Sequence, residues 1–256
     1  MRAKLNDLDK IRVAAVSYLN TKPLLYGIKH HPIINEIDLI EDYPSRIAQM
    51  LIDGKIDLGL IPVAAILNMK EWHIVSDYCI GADGPVASVC IFSQVPMTEI
   101  ERIYLDYQSR TSVNLAKILF KEYWQKEVEF IETTGEDFRN KIRGTTAAVV
   151  IGDRALEQRQ HSAYIYDLAE AWKQHTGLPF VFAAWVANKV LSVEFSKKFN
   201  EANKLGVNNL VNLAGKIIYP HYDLTTYFTK CLDYHLSLSA KEGLKLFLDK
   251  ISMFKI

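Results

Sequence analysis

The octapeptide Ser17-Tyr18-Leu19-Asn20-Thr21-Lys22-Pro23-Leu24 follows directly on the apolar run Ile11–Val16 and leads into a second periodic segment. A short apolar run that gives way to hydrogen-bonding residues and then to a helical pattern predicts a strand, a turn and a helix. The turn would lie at the carboxyl end of the strand, and ligands of open α/β sheets bind at that edge. This stretch therefore predicts an α/β fold with a ligand site.

Strand and helix patterns alternate outward from this stretch. Ile47, Met50 and Leu51 share one face of the second helical segment, and Gly54 stands where a left-handed residue would end it. The order βαβαβ predicts a parallel sheet. The predicted strands are residues 11–16, 37–41 and 56–61, and the predicted helices are residues 23–29 and 45–53.

A similar alternation continues further along the chain. Strands are predicted at residues 73–80, 87–92, 102–106, 128–132 and 147–151, with helices at 111–124 and 136–142. Asp167 and Glu170 form a capping box for a helix at residues 168–175, which Gly177 and Pro179 would end, and a strand at 180–186 follows.

This pattern predicts two lobes, one made of residues 1–92 and 183–256 and the other of residues 93–182. The chain would cross between them twice, so we expect a hinge and closure about a ligand. Helices follow Ser192, and Ser239 with Glu242 would open the last one. We expect these helices to pack on the first lobe.

Composition limits the possible functions. With 256 residues and 49% hydrophobic content, the chain can form one large α/β domain or two lobes. Its 30 basic residues balance 30 acidic ones, so the sequence does not predict a nucleic acid or a membrane surface as partner. Cys79, Cys90 and Cys231 lack C-x-x-C spacing and are interpreted as buried thiols. The charged first ten residues have no apolar segment, which favours a reduced, soluble, cytoplasmic protein.

The segment Ser109-Arg110-Thr111-Ser112 lies where a predicted strand ends and a predicted helix begins. Unpaired backbone N–H groups converge at such a position, and hydroxyls and a guanidinium join them here, so the pattern predicts an anion site. Arg110 in the first turn opposes the helix dipole, which a bound carboxylate would offset. The alternative is that Ser109 only caps the helix and Arg110 is solvated.

Asn20 and Thr21 form a second cluster, in the octapeptide that follows the predicted strand at residues 11–16. An Asn side chain can both donate to a leaving hydroxyl and accept from it, so it suits the orientation of a neutral polar group. The alternative for Asn20 is a plain helix N-cap. Ser88 is a lone hydroxyl in an apolar stretch, and a buried Ser needs a partner, which is either a ligand or the backbone.

Gly152 and Asp153 close the predicted strand at residues 147–151. The Gly would permit close approach of the backbone, and we interpret the Asp153 carboxylate as the N-cap of the helix that follows, with the loop still near the ligand.

The sequence has no G-x-S-x-G, Walker A or H-E-x-x-H motif and no G-x-G-x-x-G after a strand, and its seven histidines do not fall at i, i+4 spacing. Chemistry without a cofactor or a metal is the simplest interpretation.

The octapeptide also resembles the first signature of the chorismate dehydratase family of the alternative, futalosine-type menaquinone pathway. The resemblance spans residues 11–185 and carries little beyond Asn188. The further matching segments are GKIDLGLIP (54–62), GPVASV (84–89), SRTS (109–112), IGD (151–153) and TGLPFVFA (176–183).

This resemblance implies an α/β fold of the type II periplasmic-binding-protein-like class, with two lobes, each a mixed, mainly parallel sheet flanked by helices, and a ligand cleft between them. It implies elimination of water from chorismate, a dianion with a ring hydroxyl, to give 3-[(1-carboxyvinyl)oxy]benzoate. Asn20 and Ser88 would be catalytic. The substrate-binding residues would be Ser17, Thr21, Ser109, Arg110, Thr111, Ser112, Gly152 and Asp153.

These positions lack a convincing general base, since none is a His, and Asp153 and Asp106 are plausible structural acids. We therefore hypothesise that the enolpyruvyl carboxylate of the substrate takes the proton itself. Two rival functions remain at this stage. One is a non-catalytic solute-binding protein of a transporter, and the other is the related 1,4-dihydroxy-6-naphthoate synthase of the same pathway, for which a His near the cleft is expected.

Overall fold

The computed structural model describes residues 10–254. Residues 1–9, which make up most of the charged start, and residues 255–256 lie outside the described residues, as do the outer limits of the first predicted lobe. The strands are β1 Ile11–Val16, β2 Ile37–Asp42, β3 Leu58–Pro62, β4 His73–Ala82, β5 Val89–Ser93, β6 Arg102–Leu105, β7 Glu129–Glu132, β8 Thr146–Ile151, β9 Tyr164–Asp167, β10 Phe180–Ala187 and β11 Asp233–His235. The helices are α1 Lys22–His30, α2 Pro44–Ile52, α3 Arg110–Glu122, α4 Asp153–Gln158, α5 Leu168–Thr176, α6 Val193–Val207, α7 Leu210–Ala214, α8 Leu224–Thr226 and α9 Leu238–Phe254.

The first sheet has six strands in the order β11-β4-β10-β3-β1-β2. β1 pairs in parallel with β2, from Ile11 opposite Ile37 to Val16 opposite Asp42, and with β3 on its other side. β10 is antiparallel to both β3 and β4. The predicted βαβαβ unit and its parallel pairing are confirmed. β1 lies inside the sheet, where its apolar residues 13–16 are buried.

The second sheet has five strands in the order β7-β6-β8-β5-β9. β6 is parallel to β7 and β8, whereas β5 is antiparallel to β8 and β9. Both sheets are therefore mixed, as expected, but neither is mainly parallel, because antiparallel pairs are at least as numerous as parallel ones in each sheet. The carboxyl ends of β6 and β8 lead into α3 and α4, as the carboxyl end of β1 leads into α1.

The chain passes from the first sheet to the second between Ala82 and Val89, and it returns between Asp167 and Phe180. β10 is the predicted returning strand. The first crossing contains two residues with positive φ, Gly84 at 142° and Ala87 at 63°. The division into lobes after residues 92 and 182 stays a prediction.

Local end signals are confirmed at three positions. The Asp167 carboxylate accepts hydrogen bonds from the N–H groups of Ala169 and Glu170, at 3.0 and 3.2 Å, and so caps α5. Gly177 ends α5 with φ 74°, and Gly54 follows α2 with φ 70°. These are left-handed conformations that Gly adopts without a steric penalty.

The C-terminal helix differs from the prediction in two respects. Ser237 rather than Ser239 caps α9, since its Oγ accepts a hydrogen bond from the N–H of Ala240 at 3.1 Å. α9 also contacts more than the first sheet, because the Phe247 ring lies 4.8 Å from that of Phe180 in β10 and 6.0 Å from that of Trp172 in α5. Within residues 10–254, no helix combines the length and the apolar character needed to span a bilayer.

Candidate active site

A cavity with about 610 Å³ of empty space, part of it open to solvent, lies between the two sheets. Elements of both sheets form its wall, including the carboxyl ends of β1 and β8 and the start of α3. Six of the ten predicted site residues line it: Asn20, Thr21, Ser88, Ser109, Ser112 and Gly152. The other lining residues are Val16, Tyr18, Pro44, Leu60, Pro62, Ile80, Val86, Val89, Gln108, Ile151, Phe182 and Ala183.

The start of α3 presents hydroxyls to this cavity. Ser109 is the N-cap, and its Oγ accepts a hydrogen bond from the Ser112 N–H at 3.0 Å. The same Oγ donates to Ser112 Oγ at 2.8 Å. Ser112 Oγ therefore accepts from the protein, and no acceptor for its own proton is found among the described residues.

Asn20 and Thr21 lie at the carboxyl end of β1, in the short 3₁₀ turn Leu19–Thr21. The Thr21 hydroxyl donates to Asn20 Oδ1 at 3.1 Å, which fixes the side-chain amide. Neither the 3₁₀ turn nor α1 has a side-chain N-cap, so the N-cap alternative for Asn20 is wrong. The Asn20 NH₂ group has no acceptor among the described residues.

Ser88 lies in the first crossing between the sheets and is only 1% exposed. Its Oγ accepts a hydrogen bond from the hydroxyl of Tyr227 at 2.8 Å, so its side chain does not bond to the backbone. Its main chain is fixed as well, because its N–H donates to the Val86 carbonyl and its carbonyl accepts from the Gly152 N–H, both at 2.8 Å. The Ser88 hydroxyl proton has no acceptor among the described residues.

Asn20, Ser88 and Ser112 thus share one arrangement. Each accepts a hydrogen bond from a neighbouring hydroxyl, and each keeps at least one N–H or O–H without a protein acceptor among residues 10–254. None of the cavity-lining residues is a Lys, Arg, His, Asp or Glu. Because buried donors need partners, this cavity suits a ligand rich in hydrogen-bond acceptors.

Gly152 and Asp153 lie at the end of β8. Gly152 has φ 65°, and a Cβ at this position would lie 3.5 Å from the Tyr18 ring, so the two lobes approach closely here. Asp153 is the first residue of α4, which has no side-chain N-cap, and the interpretation of its carboxylate as a cap is wrong. Asp153 Oδ1 instead accepts from the Leu19 N–H across the cleft at 3.1 Å.

The other three predicted residues also lie outside the cavity lining. Ser17 is exposed at the end of β1. Arg110 is exposed and borders two grooves beside the cavity. Thr111 is buried, and its Oγ1 accepts a hydrogen bond from the Ala64 N–H at 3.2 Å, which joins the two lobes.

Sequence reasoning missed the pair formed by Tyr18 and Gln108 on the cavity wall. The Tyr18 hydroxyl donates to Gln108 Oε1, which also accepts from Arg154 Nη2 at 2.9 Å. Arg154 in turn pairs with the buried Asp106 carboxylate at 2.9 Å. Tyr18 belongs to the quoted octapeptide, but its partner is 90 positions away, so no local signal predicted this contact.

Three tyrosines of the C-terminal segment were also missed. The hydroxyls of Tyr219, Tyr227 and Tyr234 each donate to a predicted site residue. This segment carried little of the resemblance noted in the sequence, and the spacing of its tyrosines has no recognisable period.

Comparison with known sequences gives consistent relatives. A family model described as "Menaquinone biosynthesis" matches residues 11–252. The chain is 24% identical over 259 residues to a protein named chorismate dehydratase from Thermus thermophilus, with 92% of this chain and 93% of that protein covered. It is 27% identical over 241 residues to a protein of the same name from Campylobacter jejuni, with 91% and 93% covered.

Comparison with solved structures shows the fold. Protein AF1704 from Archaeoglobus fulgidus matches with a TM-score of 0.75 at 13% identity, covering 98% of this chain and 99% of that one. The alkanesulfonate-binding protein SsuA from Xanthomonas axonopodis pv. citri matches with a TM-score of 0.61 at 12% identity, covering 96% and 93%. The Candida albicans CA3427 product, described as having the generic periplasmic binding protein fold, matches with a TM-score of 0.63 at 11% identity, covering 94% and 90%. The predicted periplasmic-binding-protein-like fold class is confirmed.

Proposed function

The chain belongs to the menaquinone biosynthesis family, and from that membership we propose that it is a chorismate dehydratase, a carbon–oxygen hydro-lyase. It would eliminate water from chorismate to give 3-[(1-carboxyvinyl)oxy]benzoate. The observation that carries this proposal is the cavity in which Asn20, Ser88 and Ser112 offer donors without protein acceptors. Two relatives named chorismate dehydratase support it.

Chorismate fits this donor pattern chemically. It has two carboxylates, an ether oxygen and a ring hydroxyl, all of which accept hydrogen bonds. The start of α3 adds the positive end of a helix dipole near Ser109 and Ser112, which favours a carboxylate there. The remaining wall is largely apolar, with side chains such as Phe182 and Ile151, and so offers an apolar surface to the reacting ring.

The reaction removes a proton from the ring carbon that bears the enolpyruvyl ether and a hydroxyl from the neighbouring ring carbon. The two leave as water, and the electrons of the broken C–H bond complete the aromatic ring. We assign donation to the departing hydroxyl to Asn20 and Ser88, because both line the cavity with free donors. Preorganised donors of this kind stabilise the charge that develops on a leaving oxygen.

The proton acceptor in this mechanism is the enolpyruvyl carboxylate of the substrate, which then passes the proton to the departing hydroxyl, so that water leaves and the carboxylate is regenerated. No His, Asp or Glu is among the described cavity-lining residues, and the Asp153 and Asp106 carboxylates are engaged by Leu19 and Arg154. The substrate carboxylate is attached through the ether to the carbon that loses the proton, so it lies close to that proton without any protein base. Positioning by the protein then supplies much of the acceleration.

Direct assay of the purified protein with chorismate tests the proposal. We expect loss of the diene absorbance and appearance of the carboxyvinyl-oxybenzoate by mass spectrometry. Asn20→Ala and Ser88→Ala should each lower kcat by about 10²-fold, with a smaller effect on KM, as for loss of one transition-state donor. Ser196→Ala, at a half-buried position of α6 outside the cavity, is the matched control and should retain full activity.

Two outcomes would contradict the proposal. If chorismate is not consumed while another metabolite binds tightly, a transporter-type binding function replaces it. Unchanged turnover in both Asn20→Ala and Ser88→Ala would remove these residues from the chemistry.

The proposal also includes a cytoplasmic location and closure of two lobes, residues 93–182 against the remainder, over the substrate.

A further inference from the structure

The segment after α7 places three tyrosine hydroxyls against residues of the proposed active site. Tyr219 donates to the Asp153 carbonyl at 2.7 Å. Tyr227 donates to Ser88 Oγ at 2.8 Å, and Tyr234 donates to the Asn20 carbonyl at 3.0 Å. Both residues assigned to the leaving hydroxyl are therefore contacted from this one segment, which carried little of the sequence resemblance.

Tyr227 has the most direct contact of the three, because it bonds to a side-chain oxygen rather than to a backbone carbonyl. It is fully buried and begins the π-helical turn Tyr227–Cys231. Such turns are rare and occur frequently at functional sites. The rings of Tyr222 and Phe228, at 6.2 and 5.7 Å, pack against the Tyr227 ring and hold it in place.

The direction of this hydrogen bond determines what Ser88 can do. The Tyr227 phenol has Ser88 Oγ as its one acceptor among the described residues. Burial raises the pKa of the phenol above its ordinary value, so Tyr227 stays protonated and donates. Ser88 must then accept from Tyr227, and its own O–H cannot point toward Tyr227.

We propose that Tyr227 is a positioning residue for the dehydration: by donating to Ser88 Oγ, it directs the Ser88 hydroxyl proton into the cavity, toward the departing hydroxyl of the substrate. This inference rests on the proposed function. Tyr227 itself does not line the cavity, so it would act through Ser88. Without its hydroxyl, Ser88 rotates freely, and Ser88 is oriented as a donor for only part of the time.

Tyr227→Phe tests the proposal, since it removes the hydroxyl and keeps the ring. We expect kcat to fall about tenfold and KM to change less than about twofold, because the lost orientation matters in the transition state. In a Ser88→Ala background the same substitution should produce no further fall in kcat, because the oriented hydroxyl is already absent.

Tyr222→Phe is the matched control. Tyr222 lies in the same segment, but its hydroxyl contacts Cys231 Sγ at 3.7 Å rather than a site residue. This variant should keep the wild-type kcat. The far-UV circular dichroism and Tm of each variant show whether Tyr227→Phe has folded. If it has not, 3-fluorotyrosine at position 227 keeps the ring shape and makes the phenol a stronger donor, and it should change kcat only when Ser88 is present.

The outcomes separate the two proposals. A wild-type protein that turns over chorismate, with Tyr227→Phe equal to it in kcat, overturns the positioning role alone. If Tyr227→Phe lowers kcat equally in the wild type and in the Ser88→Ala background, the positioning role is also overturned. The Tyr227 hydroxyl would then act through packing and not through Ser88. A wild-type protein that does not consume chorismate overturns the proposed function and this inference with it.

Discussion

The Asp153 carboxylate shows the difference between an acid that lines an active site and an acid that supports the site from outside the cavity. It lies beside the proposed active site, yet it accepts the Leu19 N–H at 3.1 Å and is absent from the cavity wall. Burial raises the pKa of the Asp153 carboxyl, although the hydrogen bond from Leu19 lowers it. A raised pKa means that the ionised form is less favourable in the folded chain than in the unfolded chain.

The pH dependence of stability follows from this sign. Between the ordinary Asp value, about 3.9, and the raised folded value, the folded state binds more protons than the unfolded state, so stability falls as the pH rises. Asp153→Asn removes the charge and keeps an oxygen that accepts from Leu19. As the pH falls from about 7 to about 4, the Tm of the wild type should rise relative to that of Asp153→Asn.

Asp223→Asn is a control, because the Asp223 carboxyl contributes a pH dependence of stability opposite in sign to that of Asp153. Hydrogen bonds from the Thr226 hydroxyl and from the N–H groups at the start of α8 lower the pKa of the exposed Asp223 carboxyl, so its contribution is lost as the pH falls. Equal pH profiles for the two variants would contradict the assignment of burial to Asp153. Turnover by Asp153→Asn should persist, and its loss with chorismate binding intact would contradict the substrate-assisted mechanism.

A local pattern predicted the helix start at Ser109, but local patterns did not predict the contacts that cross between the lobes. Ser109 and Ser112 follow from a strand end and a helix start, and both line the cavity. Asp153 and Thr111 make their hydrogen bonds to Leu19 and Ala64 in the other lobe. Such contacts depend on how the lobes meet, and no local pattern in the chain encodes that.

At the scale of elements, the contact between α1 and α6 supports the start of α1, next to Asn20 and Thr21. A Cβ on Gly206 would overlap the carbonyl oxygen of Pro23, and one on Gly27 would overlap that of Ala202. The two helices therefore approach to backbone contact. This close approach fixes the position of α1 against the sheet.

Gly206→Ala should consequently destabilise the protein. The added methyl group meets backbone atoms, which cannot rotate away, so overpacking costs about 2 to 3 kcal/mol and exceeds the gain in helix propensity of about 1 kcal/mol. The free energy of unfolding in urea measures the effect. Gly215→Ala is the control, because a Cβ there would lie 3.6 Å from the nearest atom, the Val211 carbonyl oxygen. Equal stability of the two variants would contradict the packing argument.

Elements with strong end signals were predicted, whereas two short strands of the sheets, β9 and β11, were not. Gly54, Gly177 and Asp167 mark helix ends through their own conformation or hydrogen bonds. β11 spans three residues and β9 four, and neither has an alternating pattern long enough to detect. β11 exists because β4 offers a free edge for pairing, which is a property of the sheet and not of residues 233–235.

For the whole molecule, the two lobes are joined both by α9 and across the cleft. Lys250 in α9 pairs with Glu122 of α3 at 2.6 Å, and Phe247 packs on both β10 and α5. The amphipathic pattern of α9 predicts which face of the helix is buried, but it does not predict which elements cover that face. The contacts of α9 with α3 and α5 were therefore not predicted. Across the cleft, Tyr18 bonds to Gln108, and the N–H groups of Leu19 and Ala64 bond to the second lobe.

These two N–H groups report on opening of the cleft, because their acceptors belong to the opposite lobe. Tyr18→Phe removes one hydrogen bond across the cleft, worth about 1 kcal/mol, so opening should become about fivefold more frequent. Amide hydrogen exchange by NMR should then accelerate about fivefold at Leu19 and Ala64 and stay unchanged at Ala14, inside β1. Tyr43→Phe, at a 64% exposed residue, should change none of the three. Equal acceleration at Ala14 would mean global unfolding, and no acceleration at Leu19 and Ala64 would mean that the Tyr18 hydroxyl does not hold the lobes together.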